Sequence, residues 1–212
     1  DYWKDASEES ILKSLRSNYG ASPRKDCYRI LFLGSSQTWG AGASQESKTL
    51  VKRVESMLNE LSYGNAGYEC INAGVSGFDL NDSIDFYIKE LPRLEHKIVV
   101  FILPDSLDND SYFNLRKLIQ FNDSHKIKTI FLLGAKSIEY NAGYAPLSDF
   151  FMGFFKKNAV EVMNLNEDLL KNYDSGFLWW DSSHLTDFGQ KLVAKCIYRV
   201  LSKEIGLIHQ EH

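Results

Sequence analysis

Three side chains of this sequence, Ser36, Asp181 and His184, have the types that nucleophilic catalysis requires. A serine hydroxyl attacks a carbonyl group only when a neighbouring base takes its proton, and that base needs a carboxylate to orient it. Asp181 and His184 are three positions apart in a predicted turn, so the carboxylate reaches the imidazole at little cost in chain entropy. The three residues predict a Ser-His-Asp relay, provided that the fold brings Ser36 to the other two.

Ser36 follows an apolar run, Tyr28–Leu33, that breaks at Gly34. This pattern is typical of a buried parallel strand that passes into a loop. Ligands of open α/β sheets lie at the carboxyl ends of the strands, so a serine at this place is positioned for chemistry. The serines after Gly34 could instead only cap the next helix, and the Gly-Ser-Ser stretch alone leaves both interpretations open.

Strands and helices alternate along the rest of the chain. The predicted strands are Tyr28–Leu33, Tyr68–Asn72, Lys97–Leu103, Lys128–Leu133 and Val160–Met163, and the predicted helices are Leu50–Leu61, Asn81–Leu91, Tyr112–Phe121, Leu147–Lys157 and Thr186–Leu201. This alternation predicts the α/β class: a three-layer α/β/α fold around a five-stranded parallel sheet in flavodoxin-like order. His96 and His125 precede the third and fourth strands in polar stretches, so we expect them to be solvated at the far edge of the sheet.

Length and charge restrict the class of protein. The 212 residues, 44% of them hydrophobic, suit one globular domain, 27–205, with a polar extension at 1–26 and a polar tail at 206–212. The net charge of −4, with Lys and Arg spread along the chain, predicts no nucleic-acid surface. No apolar run reaches the roughly 20 residues of a membrane span, so membrane contact is not evident. The polar start leaves the compartment open, and a bacterial periplasmic or membrane-anchored location is favoured over a cytoplasmic one.

No cofactor is predicted. The three cysteines are too scattered for a disulfide framework. No His, Cys and carboxylate cluster has metal-ligand spacing, so no metal site is predicted. The stretch Gly34–Gly42 matches neither a dinucleotide fingerprint nor a phosphate loop, because no Lys follows Gly40. The sequence predicts no particular oligomeric state.

Three motifs of this sequence resemble those of the SGNH/GDSL hydrolase family. They are Gly34-Ser35-Ser36 with Thr38 and Gly40, then Asn72-Ala73-Gly74-Val75-Ser76-Gly77, then Asp181-x-x-His184-Leu185-Thr186-x-x-Gly189. The third motif is the most specific, since all five of its defining residues are in place and an amphipathic helix follows. The first departs from the family, which usually has Asp at the position of Ser35.

The resemblance implies a serine esterase. Ser36 would attack an ester carbonyl, His184 would transfer the proton, and Asp181 would fix the imidazole tautomer. The amides of Ser36 and Gly77 would hold the oxyanion. The implied substrate is a small-molecule or glycan ester, with an O-acetyl group on a carbohydrate as a candidate. Two alternatives remain: an O-acyltransferase that uses the same site, and a catalytically weak binding module on the same fold.

A third oxyanion donor is the point at which the sequence departs most from the family. Members usually add an Asn side chain after the third strand, and the usual Gly-x-Asn-Asp is missing here. Strand length places Ser106 at that position, the acidic pattern places Pro104 there, and Asn109 lies a few residues further on. A serine hydroxyl can donate a hydrogen bond, whereas proline cannot. The loop could equally be an acidic turn without a role in catalysis.

Trp39, Trp179 and Trp180 flank the predicted catalytic residues. Together they could form an aromatic wall for an acyl chain or a sugar ring. The alternative is that these side chains pack the loops in which they occur.

Overall fold

A parallel sheet forms the centre of the molecule. The computed structural model describes residues 15–16, 23–61, 67–104, 107–134 and 149–206. The strands in these ranges are β1 (Tyr28–Gly34), β2 (Tyr68–Gly74), β3 (Ile98–Leu103), β4 (Lys128–Leu133) and β5 (Glu161–Asn164). Their order is β2-β1-β3-β4-β5, and every neighbouring pair is parallel. The predicted five-stranded sheet in flavodoxin-like order is thereby confirmed.

The four strands β1 to β4 are buried along almost their whole length. All residues of β2 and β3 are buried, and in β1 and β4 only the first residue is not. Helices cover both faces of a parallel sheet, which is why such strands are near-continuous apolar runs in the sequence. The edge strand β5 is only partly buried.

The helices form two layers, one on each face of the sheet. They are α1 (Ser36–Trp39), α2 (Leu50–Leu61), α3 (Leu80–Glu90), α4 (Asn109–Ser124), α5 (Asp149–Lys157), α6 (Leu165–Leu170) and α7 (Asp187–Glu204), with short 3-10 turns at Glu46–Lys48, Pro92–Leu94 and Tyr173–Ser175. Apolar side chains of α3, α4 and α5 pack in one buried cluster against the sheet. Those of α2, α6 and α7 pack in a second cluster on the opposite face, so the three-layer prediction is confirmed.

Capping residues set helix ends that apolar spacing does not reveal. The helix α4 begins at Asn109, three residues before its predicted start, because Asp108 accepts a hydrogen bond from the Ser111 amide at 2.8 Å. The Ser111 hydroxyl accepts from the Asp108 amide at 3.1 Å, which completes a capping box. Thr186, the first residue of the last predicted helix, is the N-cap of α7, since its hydroxyl accepts a hydrogen bond from the Gly189 amide at 3.2 Å.

His96 lies inside the molecule, and the prediction that it is solvated is wrong. Its side chain is 5% exposed, and its Nε2 atom lies 2.8 Å from the Tyr87 hydroxyl. Polar neighbours along the chain suggest exposure, but they do not reveal that α3 packs over the segment that leads into β3. His125 is exposed, as expected.

Leu15 and Arg16 are described within the predicted N-terminal extension. Leu15 is buried in the cluster that contains α3, α4 and α5. The Arg16 Nη1 atom donates a hydrogen bond to the Trp39 carbonyl oxygen at 2.9 Å. This part of the extension therefore packs on the domain, and the domain boundaries themselves stay predictions.

The three cysteines, Cys27, Cys70 and Cys196, are free. Within the described ranges, no group of three or more His, Cys, Asp or Glu side chains is arranged to hold a metal ion. In the same part of the chain, no helix has the length and apolar character needed to cross a membrane.

Candidate active site

The turn between β1 and α1 places Ser36 at the carboxyl edge of the sheet. It depends on Gly34, whose φ of 144° disfavours residues with side chains. A Cβ at Gly34 would overlap the Thr38 hydroxyl and lie 3.0 Å from the Ile102 carbonyl oxygen. The Thr38 hydroxyl donates to the Leu33 carbonyl oxygen at 3.2 Å, which holds α1 against the end of β1. Ser36 becomes the first residue of α1, where backbone amides have no partner within the helix.

Gly74 lets α1 also approach the end of β2. A Cβ at this position would overlap the Trp39 amide nitrogen and lie 2.7 Å from the Thr38 carbonyl carbon. The Val75 amide donates to the Gly34 carbonyl oxygen at 3.0 Å and continues the pairing beyond the strands. The Gly-Ser-Ser and Asn-Ala-Gly motifs therefore pack directly on each other.

Asp181 and His184 form a compact turn before α7. One carboxylate oxygen of Asp181 accepts hydrogen bonds from the Ser183 and His184 amides at 2.9 and 2.8 Å. The other oxygen lies 2.7 Å from His184 Nδ1. The remaining ring nitrogen, Nε2, lies 3.1 Å from the Ser36 hydroxyl oxygen. The structure thus brings all three residues of the predicted relay into one hydrogen-bonded chain.

The carboxylate of Asp181 decides the tautomer of the imidazole. The hydrogen bond from the Ser183 amide, followed by those from His184, lowers the pKa of Asp181 to about 2. The ionised carboxylate can only accept, so Nδ1 of a neutral His184 ring carries the proton. Nε2 then has a free lone pair that accepts the hydrogen bond from the Ser36 hydroxyl. In this state the hydroxyl proton can pass to the imidazole in one step.

Hydrogen bonds join the turn that carries Ser36 to the loop that carries His184. The Gln37 Nε2 atom donates to the Ser183 carbonyl oxygen at 2.9 Å. Asp187 accepts from the Ser44 amide and hydroxyl at 2.8 and 2.6 Å. Although burial opposes its ionisation, these bonds and the Lys48 ammonium lower the pKa of Asp187 to about 2. Sequence reasoning misses Gln37 and Asp187, because no local pattern signals contacts between residues so far apart in the chain.

Two of the predicted oxyanion donors are the backbone amides of Ser36 and Gly77, which follow β1 and β2 at the carboxyl edge of the sheet. Gly77 has a φ of 89°, and a Cβ there would meet no atom within 4 Å, so the surface beside it is open. Among the described residues, none accepts a hydrogen bond from the Gly77 amide. Ser106 lies outside the described residues, and of Asn109 only the backbone is described, as the first residue of α4. The third donor stays a prediction.

The three tryptophans divide into two environments. Trp179 is 7% exposed and packs in the cluster that contains α7, so it does not contribute to the predicted aromatic wall. Trp179 pairs with Leu185, which is also buried, in a short antiparallel bridge. Trp39 and Trp180 are exposed, and the Arg16 guanidinium lies 4.2 Å from the centre of the Trp39 ring.

The sequence matches no protein-family profile, and no curated protein sequence matches it significantly. Solved structures do match. A two-domain esterase active on acetylated mannans, crystallised with mannopentaose, superimposes with a TM-score of 0.70 and 19% identity over 84% of this chain and 49% of the esterase. This chain therefore spans about half the length of that protein.

Two further structures match over nearly their whole length. A variant of an acetyl xylan esterase from Geobacillus stearothermophilus has a TM-score of 0.67 and 15% identity over 87% of this chain and 97% of its own. A G-D-S-L family protein from Desulfitobacterium hafniense DCB-2 has a TM-score of 0.67 and 13% identity over 81% of this chain and 98% of its own. These likenesses show that the chain has the α/β/α fold of G-D-S-L esterases, in agreement with the resemblance of its motifs.

Proposed function

We propose that this chain is a serine esterase of the SGNH/GDSL type that removes acetyl groups from carbohydrate. One observation carries the proposal: the continuous hydrogen-bonded chain from the Ser36 hydroxyl through His184 to the Asp181 carboxylate. Nucleophile, base and orienting carboxylate in this arrangement are the requirements of acyl transfer to serine.

In the first half of the reaction, the Ser36 oxygen attacks the ester carbonyl carbon while its proton passes to His184 Nε2. The carbonyl oxygen becomes an oxyanion, and the new positive charge on the imidazole is stabilised by the Asp181 carboxylate. The tetrahedral intermediate then collapses, the bond to the alcohol oxygen breaks, and His184 gives its proton to the leaving alcohol. The product is an acetyl ester of Ser36.

In the second half, water replaces the alcohol. The water oxygen attacks the acetyl carbonyl carbon while His184 takes one of the water protons. His184 then returns that proton to the Ser36 oxygen as the bond to the acetyl group breaks and acetate leaves. The oxyanion in both halves would be held by the amides of Ser36 and Gly77. Each such donor is worth about 3 kcal/mol of transition-state stabilisation.

Acetylated carbohydrate is the substrate class that the structural neighbours favour. One is described as active on acetylated mannans and another as an acetyl xylan esterase. The exposed Trp180 next to Asp181 adds an aromatic surface of the kind that sugar rings contact. Acetate esters of neutral glycans are therefore the compounds to test first.

Hydrolysis of p-nitrophenyl acetate tests the proposed nucleophile. We expect Ser36→Ala to lower kcat/KM by about 10³-fold or more, because it removes the hydroxyl group that lies 3.1 Å from His184 Nε2. Ser35→Ala is the matched control, since the Ser35 side chain makes no capping hydrogen bond, and it should retain activity within about threefold. Equal rates for Ser36→Ala and the wild type would refute the proposal.

The same variants separate the alternatives. A fluorophosphonate probe should label the wild type and not Ser36→Ala, whereas a binding module without a reactive serine would not be labelled at all. Adding glycan acceptors to an acetyl donor and looking for acetylated glycan by mass spectrometry would reveal an acyltransferase. We expect free acetate as the main product, because the Asp181 and His184 side chains are open to water.

A further inference from the structure

Phe177 and Trp180 form an exposed aromatic pair beside the candidate active site. Their side chains are 68% and 62% exposed, and their rings meet edge to face with centroids 5.8 Å apart. The two residues between them, Leu178 and Trp179, are buried. Two large rings held side by side in water form a contiguous apolar surface, which in a folded protein points to contact with a ligand.

The backbone that carries this pair is tightly held. The Trp180 indole Nε1 donates to the Gly42 carbonyl oxygen at 2.8 Å, and its amide donates to the His184 carbonyl oxygen at 2.8 Å. A Cβ at Gly42 would lie 2.7 Å from the Trp180 ring, so the absence of a side chain there makes room for the indole. The Phe177 carbonyl oxygen accepts from the Thr186 hydroxyl at 2.5 Å. The rings are therefore presented from a preorganised loop.

The pair belongs to the segment that also carries Asp181 and His184. In the proposed reaction His184 protonates the leaving alcohol, so that oxygen comes within hydrogen-bond reach of Nε2. In a carbohydrate acetate this oxygen belongs to the sugar ring. Trp180 precedes Asp181 directly, and its amide donates to the His184 carbonyl oxygen, so its backbone is tied to that of the residue that protonates the alcohol.

We infer that Phe177 and Trp180 form a subsite for a neutral pyranose ring of the substrate glycan, on the alcohol side of the ester. This inference rests on the proposed function and adds a specificity determinant to it. The C–H face of a pyranose is apolar and stacks on an aromatic ring, while its hydroxyl groups remain in water. Asp181 is the single Asp, Glu, Lys or Arg in 176–186, and its negative charge disfavours an anionic sugar at this place.

The test compares two classes of substrate in one set of variants. Acetylated manno- and xylo-oligosaccharides contain the pyranose rings that the proposed subsite would bind, whereas ethyl acetate contains none. We expect Trp180→Ala to raise KM for the preferred oligosaccharide about tenfold and to lower kcat/KM for it, relative to kcat/KM for ethyl acetate, by a similar factor. Trp180→Phe keeps an aromatic ring and should recover most of the loss on the oligosaccharide. Phe177→Ala should act in the same direction as Trp180→Ala.

Phe113→Ala is the matched control, because Phe113 is 65% exposed on α4 and is outside the proposed subsite. It should leave both substrates unaffected. The inference is overturned if Trp180→Ala has wild-type kinetics on the oligosaccharides, or if it loses activity equally on both substrate classes, which would indicate a displaced His184 loop. It is also overturned if the wild type hydrolyses ethyl acetate and prefers no oligosaccharide. Absence of Ser36-dependent hydrolysis of any ester would instead refute the proposed function itself.

Discussion

At the scale of single residues, Asp181 controls the protonation of the relay. Its carboxylate accepts two amide hydrogen bonds and one from the imidazole, and its pKa is held at about 2. An acceptor that stays ionised keeps the Nδ1 proton of His184 in place and leaves Nε2 to act as the base. All of these contacts lie within a four-residue turn, which is why the sequence alone predicts the one between carboxylate and imidazole.

The pH dependence of acyl transfer follows from this arrangement. Acyl transfer needs the unprotonated Nε2 atom of His184 as the base. Asp181, with a pKa of about 2, stays ionised above pH 4 and adds no step of its own to the pH dependence of kcat/KM for an acetate ester. A logarithmic pH-rate profile measured between pH 4 and 8 should therefore have a limiting acid slope of no more than one below its plateau. A limiting slope of two would contradict it.

Asp181→Asn tests the same relay without a change of pH. The amide can donate to Nδ1 and stabilise the wrong tautomer, so we expect activity on the high-pH plateau to fall by about 10⁴-fold. Unaltered plateau activity would remove Asp181 from the mechanism.

At the scale of the elements, a series of buried hydrogen bonds joins the helices α3 and α4 to the strand β4. The Tyr87 hydroxyl of α3 donates to Asn122 Oδ1 of α4 at 2.6 Å, and Asn122 Nδ2 donates to the Thr129 hydroxyl of β4 at 2.8 Å. Because the Tyr87 proton is used in this way, His96 Nε2 must be the donor in its contact with Tyr87. Nδ1 of His96 is then unprotonated, and it has no hydrogen-bond partner among the described residues.

The buried His96 side chain predicts that the protein loses stability in mild acid. Burial, assisted by the positive charges of Arg29 and Lys97, lowers the pKa of His96 from 6.5 to about 4. Between those values the unfolded chain binds a proton that the folded protein excludes, so stability is highest above pH 6.5 and falls as the pH decreases. From pH 7 to pH 5 we expect His96 to contribute a loss of about 2 kcal/mol in the free energy of unfolding.

Urea unfolding at pH 7 and pH 5 measures this contribution. His96→Gln removes the titrating group and keeps a donor for Tyr87, so its stability should fall less between the two pH values than that of the wild type. His125→Gln is the matched control, because His125 is exposed, and it should behave as the wild type does. An equal fall for His96→Gln and the wild type would show that His96 is not responsible.

At the scale of the whole molecule, the candidate site exists because distant parts of the chain meet at one edge of the sheet. Ser36 and His184 are 148 positions apart, and their contact depends on the stacking of α7 beside the turn after β1. The hydrogen bond from Gln37 to the Ser183 carbonyl oxygen spans 146 positions and braces the two loops next to the reacting atoms. The precision of the 3.1 Å approach between Ser36 and His184 therefore depends on tertiary contacts.

Gln37→Ala removes this brace. We expect kcat for an acetate ester to fall about tenfold with little change in KM, because a small displacement of nucleophile and base slows the chemical step more than binding. Gln45→Ala is the control, since Gln45 is exposed and its side chain caps no helix. A rise in KM with unchanged kcat would contradict the positioning role of Gln37.

Several features of this protein can be predicted from local patterns in the sequence. Continuous apolar runs identify β1, β3 and β4, because strands buried on both faces have no polar side. The stripe of α7 and its Thr186 cap are visible for the same reason: the helical repeat and the cap involve neighbours in the chain. The Asp181–His184 turn belongs to this group, since it closes within four residues.

The burial of individual side chains and the contacts between distant ones become visible only in the folded protein. His96 stands in a segment whose composition suggests exposure, yet α3 covers it, and of the neighbours Trp179 and Trp180 only the first is buried. The Gln37 brace likewise has no signature in its neighbours along the chain. Burial and long-range hydrogen bonds depend on how whole layers pack, and a local pattern contains no information on that packing.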